Sequence, residues 1–119
     1  MKLDIRQIAE AFSTGNFQST YPYLAGDIKW EIAGDRILQG KDEVITFCVN
    51  TAKYFEEVST NFKTSNVIFG NDKIAINGTA EFTNKENKIT RVLACDIYQF
   101  KDGILKEITS YCILTEKNI

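Results

Sequence analysis

The chain has 119 residues, enough for one domain with its own hydrophobic core and no need of disulfide or metal staples. Its 44% hydrophobic and 25% charged composition is ordinary for a globular protein, and a net charge of -2 without any Lys/Arg-rich run excludes a broad basic field for nucleic acid or anionic membrane. Histidine is absent, which removes Ser-His-Asp and Cys-His nucleophile systems and the commonest metal ligand.

Asp4 is placed to cap a first helix, in which Ile5, Ile8, Ala9 and Phe12 fall on one face and Gly15-Asn16 is the stop. A short second helical piece is expected within residues 17–24, limited by Pro22. Residues 27–33, DIKWEIA, alternate: Ile28, Trp30 and Ile32 share an apolar face, against Lys29, Glu31 and Ala33. Gly34-Asp35 turns the chain into a brief strand at 36–39. A long helix at about 42–58 carries Val44, Phe47, Cys48, Thr51, Phe55 and Val58 as its inward stripe. Four strands follow at 62–69, 74–83, 89–100 and 104–114, separated by the turn-rich links Gly70-Asn71-Asp72, Asn84 to Asn87 and Lys101-Asp102-Gly103.

Helices first and strands afterwards predict one α+β domain over residues 1–119, with the helices on one face of the sheet. The strand at 89–100 is apolar on both faces: Val92, Ala94, Tyr98 and Phe100 on one, Ile89, Leu93, Cys95 and Ile97 on the other. A second face of that kind needs cover, so a homodimer through the sheet is expected.

Several segments carry a family resemblance. FSTGNFQSTYPYLAGDIKWEI followed by Gly40-Lys41-Asp42-Glu43-Val44, the run Phe100-Lys101-Asp102-Gly103-Ile104, and Tyr111 in the last strand resemble the NTF2-like superfamily, in its SnoaL-like and ketosteroid-isomerase-like branch, over essentially the whole chain. The resemblance implies a cone-shaped fold: a curved, mixed or antiparallel sheet with about three N-terminal helices covering an apolar pocket. It implies no activity, since that superfamily holds isomerases, cyclases, epoxide hydrolases, dehydratases and proteins without chemistry.

Asp96 is the most informative residue. It lies in LACDIYQF, an apolar strand interior, where a carboxylate is costly unless paired, hydrogen-bonded or protonated. It resembles the aspartic acid with which ketosteroid isomerases donate to an oxyanion, a carboxyl that its apolar surroundings keep neutral. Its other reading is a carboxylate at an edge or bulge, or one tied to Arg91 or a tyrosine. Glu31 lies nine residues before Gly40, as the general base of those isomerases does before its glycine, yet the strand pattern turns it away from Trp30 and Ile32. Comparison with limonene epoxide hydrolases gives the other register, with Trp30 and Ile32 facing the pocket. The isomerases' first-helix tyrosine has no counterpart in Arg6-Gln7-Ile8, and the hydrolases' Asp-Arg-Asp set is replaced by Gly78, Ala80 and Ser110.

Trp30, Ile32, Phe55, Tyr98, Phe100 and Tyr111 are the expected ligand-binding lining, and Tyr98 shares a strand face with Asp96 at i, i+2. Three readings stay open. One is a pocket protein that binds a small hydrophobic molecule; another is an isomerase-, cyclase- or dehydratase-like enzyme using general acid-base chemistry on a small apolar carbonyl compound; the third, ranked behind them, is an interaction module whose function is the dimer surface. No metal, cofactor, nucleic-acid partner or membrane partner is expected. Three widely spaced cysteines and the absence of a signal-peptide pattern point to the cytoplasm.

Overall fold

The computed structural model describes residues 2–116; residues 1 and 117–119 of the expected single domain lie outside the described residues. Helix α1 spans Ile5–Ser13. Asp4 Oδ1 accepts from the Gln7 amide at 2.8 Å while Gln7 Oε1 accepts from the Asp4 amide at 2.9 Å, a reciprocal capping box. Ile8, Ala9 and Phe12 are buried as the spacing requires. Gly15, at φ +84°, ends the helical run, and a 3₁₀ helix at Gln18–Tyr23 with Pro22 inside leads into the sheet.

Strand β1 (Leu24–Ile32) and β2 (Arg36–Gln39) form the first hairpin. Helix α2 (Lys41–Glu57) follows, with Val44 and Cys48 buried and Phe47, Thr51 and Phe55 half-buried beside them. Strands β3 (Ser59–Phe69), β4 (Lys73–Thr83), β5 (Ile89–Lys101) and β6 (Ile104–Glu116) make the meander. The order across the six-stranded sheet is β2-β1-β6-β5-β4-β3. Every pairing is antiparallel except that of β6 with β1, which is parallel, so the sheet is mixed. It remains open, with β2 and β3 as its two edges.

Two bulges bend the meander. In β3, Thr64 pairs with Gly78 and Asn66 with Asn77, leaving Ser65 as the extra residue. A Cβ at Gly78 would collide with the Lys63 carbonyl oxygen and come within 3.0 Å of Thr64 Cα, so the close approach of β3 to β4 there requires glycine. In β6, Gln99 pairs with Glu107 and Phe100 with Leu105, leaving Lys106 unpaired in the ladder; its Nζ reaches Asp27 Oδ1 at 2.7 Å.

Both α-helices lie on one face of the sheet, where Ile8, Phe12, Ile28, Val44, Ile74, Leu105 and Ile108 form the closed part of the core. The opposite face stays open to solvent, with Leu93 39%, Ile97 37% and Ile113 62% exposed. Among the described residues no helix is long and apolar enough to cross a membrane.

Candidate active site: a carboxyl at the floor of an aromatic cavity

Alternation along the bent strands decides which side chains meet beneath the helices. From β4 come Ile76, Gly78, Ala80 and Phe82; from β5, Val92, Ala94, Asp96 and Tyr98; from β6, Ser110 and Cys112; from β1, Trp30 and Ile32. Helix α1 and its exit add Phe12, Ser13, Thr14 and Phe17, α2 adds Phe47 and Thr51, and β3 adds Phe62. Together they enclose a cavity of about 290 Å³. Asp35 and Lys63, both exposed, also border it.

The wall is mainly aromatic and aliphatic. Phe12 meets Trp30 edge-on at 5.0 Å and Tyr98 at 6.0 Å, and Trp30 meets Phe47 at 5.2 Å. Such edge-to-face pairs hold their rings in fixed orientations.

Polar groups converge at one point of this wall. Asp96 and Ser110 are direct partners in the β5–β6 ladder, so their side chains leave the same face of the sheet. Trp30 Nε1 donates to Ser110 Oγ at 2.9 Å. Ser13, at the end of α1, places its Oγ 3.5 Å from Asp96 Oδ2 and 2.7 Å from the Tyr98 hydroxyl. Burial pushes the Asp96 carboxyl above its usual range, while the hydroxyls of Ser110 and Ser13 pull it back. Tyr98, 1% exposed, titrates far above the ordinary phenol range, first through burial and then through the neighbouring Asp96 charge. Cys112 is raised by burial and by Asp96.

Four of the residues expected from sequence, Asp96, Tyr98, Trp30 and Ile32, do border the cavity. Four others are placed elsewhere. Glu31 pairs in register with Thr109, beyond the β1 irregularity between Leu24 and Lys29, and does not border the cavity, so it is not placed as its base. Phe55 stacks on Phe82 at 5.4 Å and also meets Phe62 and Phe17, supporting the wall from behind. Phe100, 3% exposed, lies past the β6 bulge in the closed core. Tyr111 follows Ser110 and therefore points to the opposite face, where it is 51% exposed.

Ser13 and Ser110 join the site without having been named as candidates, although the resemblance set Ser110 at a hydrolase site position. Ser110 is visible in the sequence as the polar member of the run Ile108, Ser110, Cys112, whereas nothing local to Ser13 marks it out. Among the described residues no group of three His, Cys, Asp or Glu side chains is placed to hold a metal ion.

The family model for a SnoaL-like domain matches residues 5–108. An NTF2-like protein of unknown function from Cytophaga hutchinsonii ATCC 33406 superposes with a TM-score of 0.83 at 35% identity, covering 91% of this chain and 95% of that one. An LEH-like epoxide hydrolase from M. tuberculosis superposes with a TM-score of 0.70 at 14% identity, covering 92% of this chain and 79% of that one. A protein described as a SnoaL-like polyketide cyclase, from Jannaschia sp. CCS1, gives 0.71 at 12% identity, with 91% and 83% covered. At such identities the last two likenesses are of fold alone. No curated protein matches the chain.

Proposed function

The chain belongs to the SnoaL-like family of the NTF2-like superfamily, and from that premise we propose that it is a binding protein that takes one small, largely apolar molecule into the cavity under its helices. The observation that carries this reading is the cavity itself: about 290 Å³, walled by aromatic and aliphatic side chains, with one carboxyl on its floor. That volume sits at the lower end of small-molecule sites, which run about 300–1,000 Å³ and combine apolar walls with a few placed polar groups. The ligand is therefore compact. Trp30 and Phe47 grip its apolar body, and Asp96 orients its polar end.

A second reading, general acid-base catalysis on a small apolar carbonyl compound, draws on one specific observation. The Asp96 carboxyl is raised by burial, as an acid that donates to an oxygen would be. Some structural neighbours carry the names epoxide hydrolase, polyketide cyclase and isomerase. Proton transfer between carbons needs a second group, however. Glu31 faces away, Tyr98 holds its proton too firmly, and Asp35 and Lys63 sit exposed at the border. Binding without turnover accounts for the site with fewer parts. Three free cysteines support a reducing compartment, the cytoplasm.

Trp30 is the only tryptophan and borders the cavity, so its emission reports occupancy. Titration with cyclohexanol gives a saturable change at one site per chain. Ala94→Phe, which fills the cavity from β5, removes that change while circular dichroism keeps its native form. An unresponsive wild type, or a variant that binds as well as wild type, refutes the reading.

A further inference from the structure

We propose that the ligand carries a protonated amine, and that Asp96 is the counter-charge that selects it. This rests on the binding reading above and adds the chemical class of the ligand. The ground for it is the direction of the hydrogen bonds that meet at Asp96.

Each arm of the network has an end that fixes where its protons go. An indole N–H only donates, so Ser110 Oγ is an acceptor toward Trp30, and the single serine proton remains for the carboxyl beside it in the ladder. The Tyr98 hydroxyl is fully enclosed and bonds to Ser13 Oγ at 2.7 Å. A buried phenol that withheld its proton would leave a donor unsatisfied, so Tyr98 donates to Ser13, and Ser13 turns its own proton to Asp96 Oδ2. The order is Trp30 to Ser110 to Asp96 from one side, and Tyr98 to Ser13 to Asp96 from the other. Both arms end in a hydroxyl whose proton is free for Asp96, Ser13 within hydrogen-bond distance and Ser110 as its ladder partner, which is the arrangement that suits an ionised carboxylate.

The carboxylate is incompletely served. An ionised carboxylate offers about four acceptor positions, and the structure presents the Ser13 hydroxyl at the long distance of 3.5 Å and Ser110 beside it in the ladder. No ion pair to Asp96 is formed among the described residues. The carboxylate borders the cavity, where a ligand can meet the acceptor positions that remain. A buried carboxylate without an opposite charge is costly, and a cationic donor in that space offsets the cost. The aromatic rings of Phe12, Trp30, Phe47 and Phe62 add faces that attract a cation within about 6 Å of a ring centre. A carbonyl ligand, by contrast, brings an acceptor to a group already arranged as one. The exposed border contributes one charge of each sign, Asp35 and Lys63, so selection falls to Asp96.

A series of ligands of one shape tests this: cyclohexylammonium, cyclohexanol, cyclohexanone and cyclohexanecarboxylate, titrated near neutral pH with Trp30 emission as readout. The expected result is that the ammonium binds roughly tenfold or more tighter than the alcohol, as a charge-assisted hydrogen bond allows, with the carboxylate weakest. In Asp96→Asn the ammonium loses that preference, and the ratio of ammonium to alcohol affinity falls to about one. If the alcohol or ketone binds as well as the ammonium, the amine inference falls and the binding reading stands. An ammonium preference that persists in Asp96→Asn places the selecting charge elsewhere and also overturns the inference. If no member of the series changes the emission, the inference and the binding reading fall together. The wild-type series decides between these outcomes without the variant, should Asp96→Asn not fold.

Discussion

Ser110→Ala is the sharpest test of the network, because it removes the acceptor from an indole N–H that has no other use for its proton. Ser110 is 3% exposed and Trp30 8%, so water does not replace the lost hydroxyl at the indole nitrogen. A buried donor left unsatisfied costs about 1–3 kcal/mol, and the lost interaction with Asp96 adds about 1 kcal/mol. The expected loss is about 2–4 kcal/mol. Unfolding entropy of about 2.1 cal/mol/K per residue makes each kcal/mol worth about 4 °C for a chain of 119 residues, so Tm falls by about 8–16 °C. Thermal and urea unfolding followed by circular dichroism measure both quantities. The mechanism is isolated by repeating the change in a Trp30→Phe background, where no indole N–H exists to be orphaned. There Ser110→Ala costs about 1 kcal/mol, and the two changes couple by about 1 kcal/mol or more. A loss below about 0.5 kcal/mol in the wild type, or equal losses in the two backgrounds, refutes the reasoning.

Gly78→Ala forces a Cβ into the Lys63 carbonyl at the β3 bulge, and the strain lowers stability by about 1–3 kcal/mol; a neutral effect in urea unfolding would show that β3 moves aside freely. Asp96 has a folded-state pKa raised by burial, so its contribution to stability is unfavourable above that value. Below the ordinary carboxyl range both states are protonated and the cost vanishes; it appears as pH rises from there through the raised folded value. Asp96→Asn accordingly gains Tm relative to wild type at about pH 7 and not at about pH 3, and equal differences at the two pH values would contradict the assignment. We propose that the exposed outer face, with Leu93, Ile97, Tyr111 and Ile113, pairs two copies of the chain. Sedimentation then reports a dimer for the wild type and a monomer for Ile97→Lys, and a monomeric wild type would dismiss the pairing.

The element order was legible in the sequence because its signals are local. Asp4 with Gln7, the i, i+3, i+4 spacing of Ile5, Ile8, Ala9 and Phe12, the alternation of Ile28, Trp30 and Ile32, and the glycine-marked turns each act over a few residues. The same alternation placed Val92, Ala94, Asp96 and Tyr98 on one face, and those four border the cavity. It also turned Glu31 outward, against the base suggested by family resemblance. Asp96 stood out because a charge in an apolar strand is energetically conspicuous wherever the strand packs.

What surrounds Asp96 was decided only by tertiary structure. One unpaired residue, Lys106, shifts the β5–β6 register between Phe100 and Gln99; without it Asp96 would face Thr109 in place of Ser110, and the whole polar floor would be different. The parallel pairing of β1 with β6 brings Trp30 beside Ser110 from 80 residues away, and α1 lowers Ser13 onto Asp96 from 83 residues away. Side-chain periodicity is a property of neighbours along the chain, so the sequence by itself determined the strands, their apolar faces and the one carboxyl among them. Register and helix docking depend on packing between distant segments, so only the folded chain decided which hydroxyls meet that carboxyl and how much room is left above it.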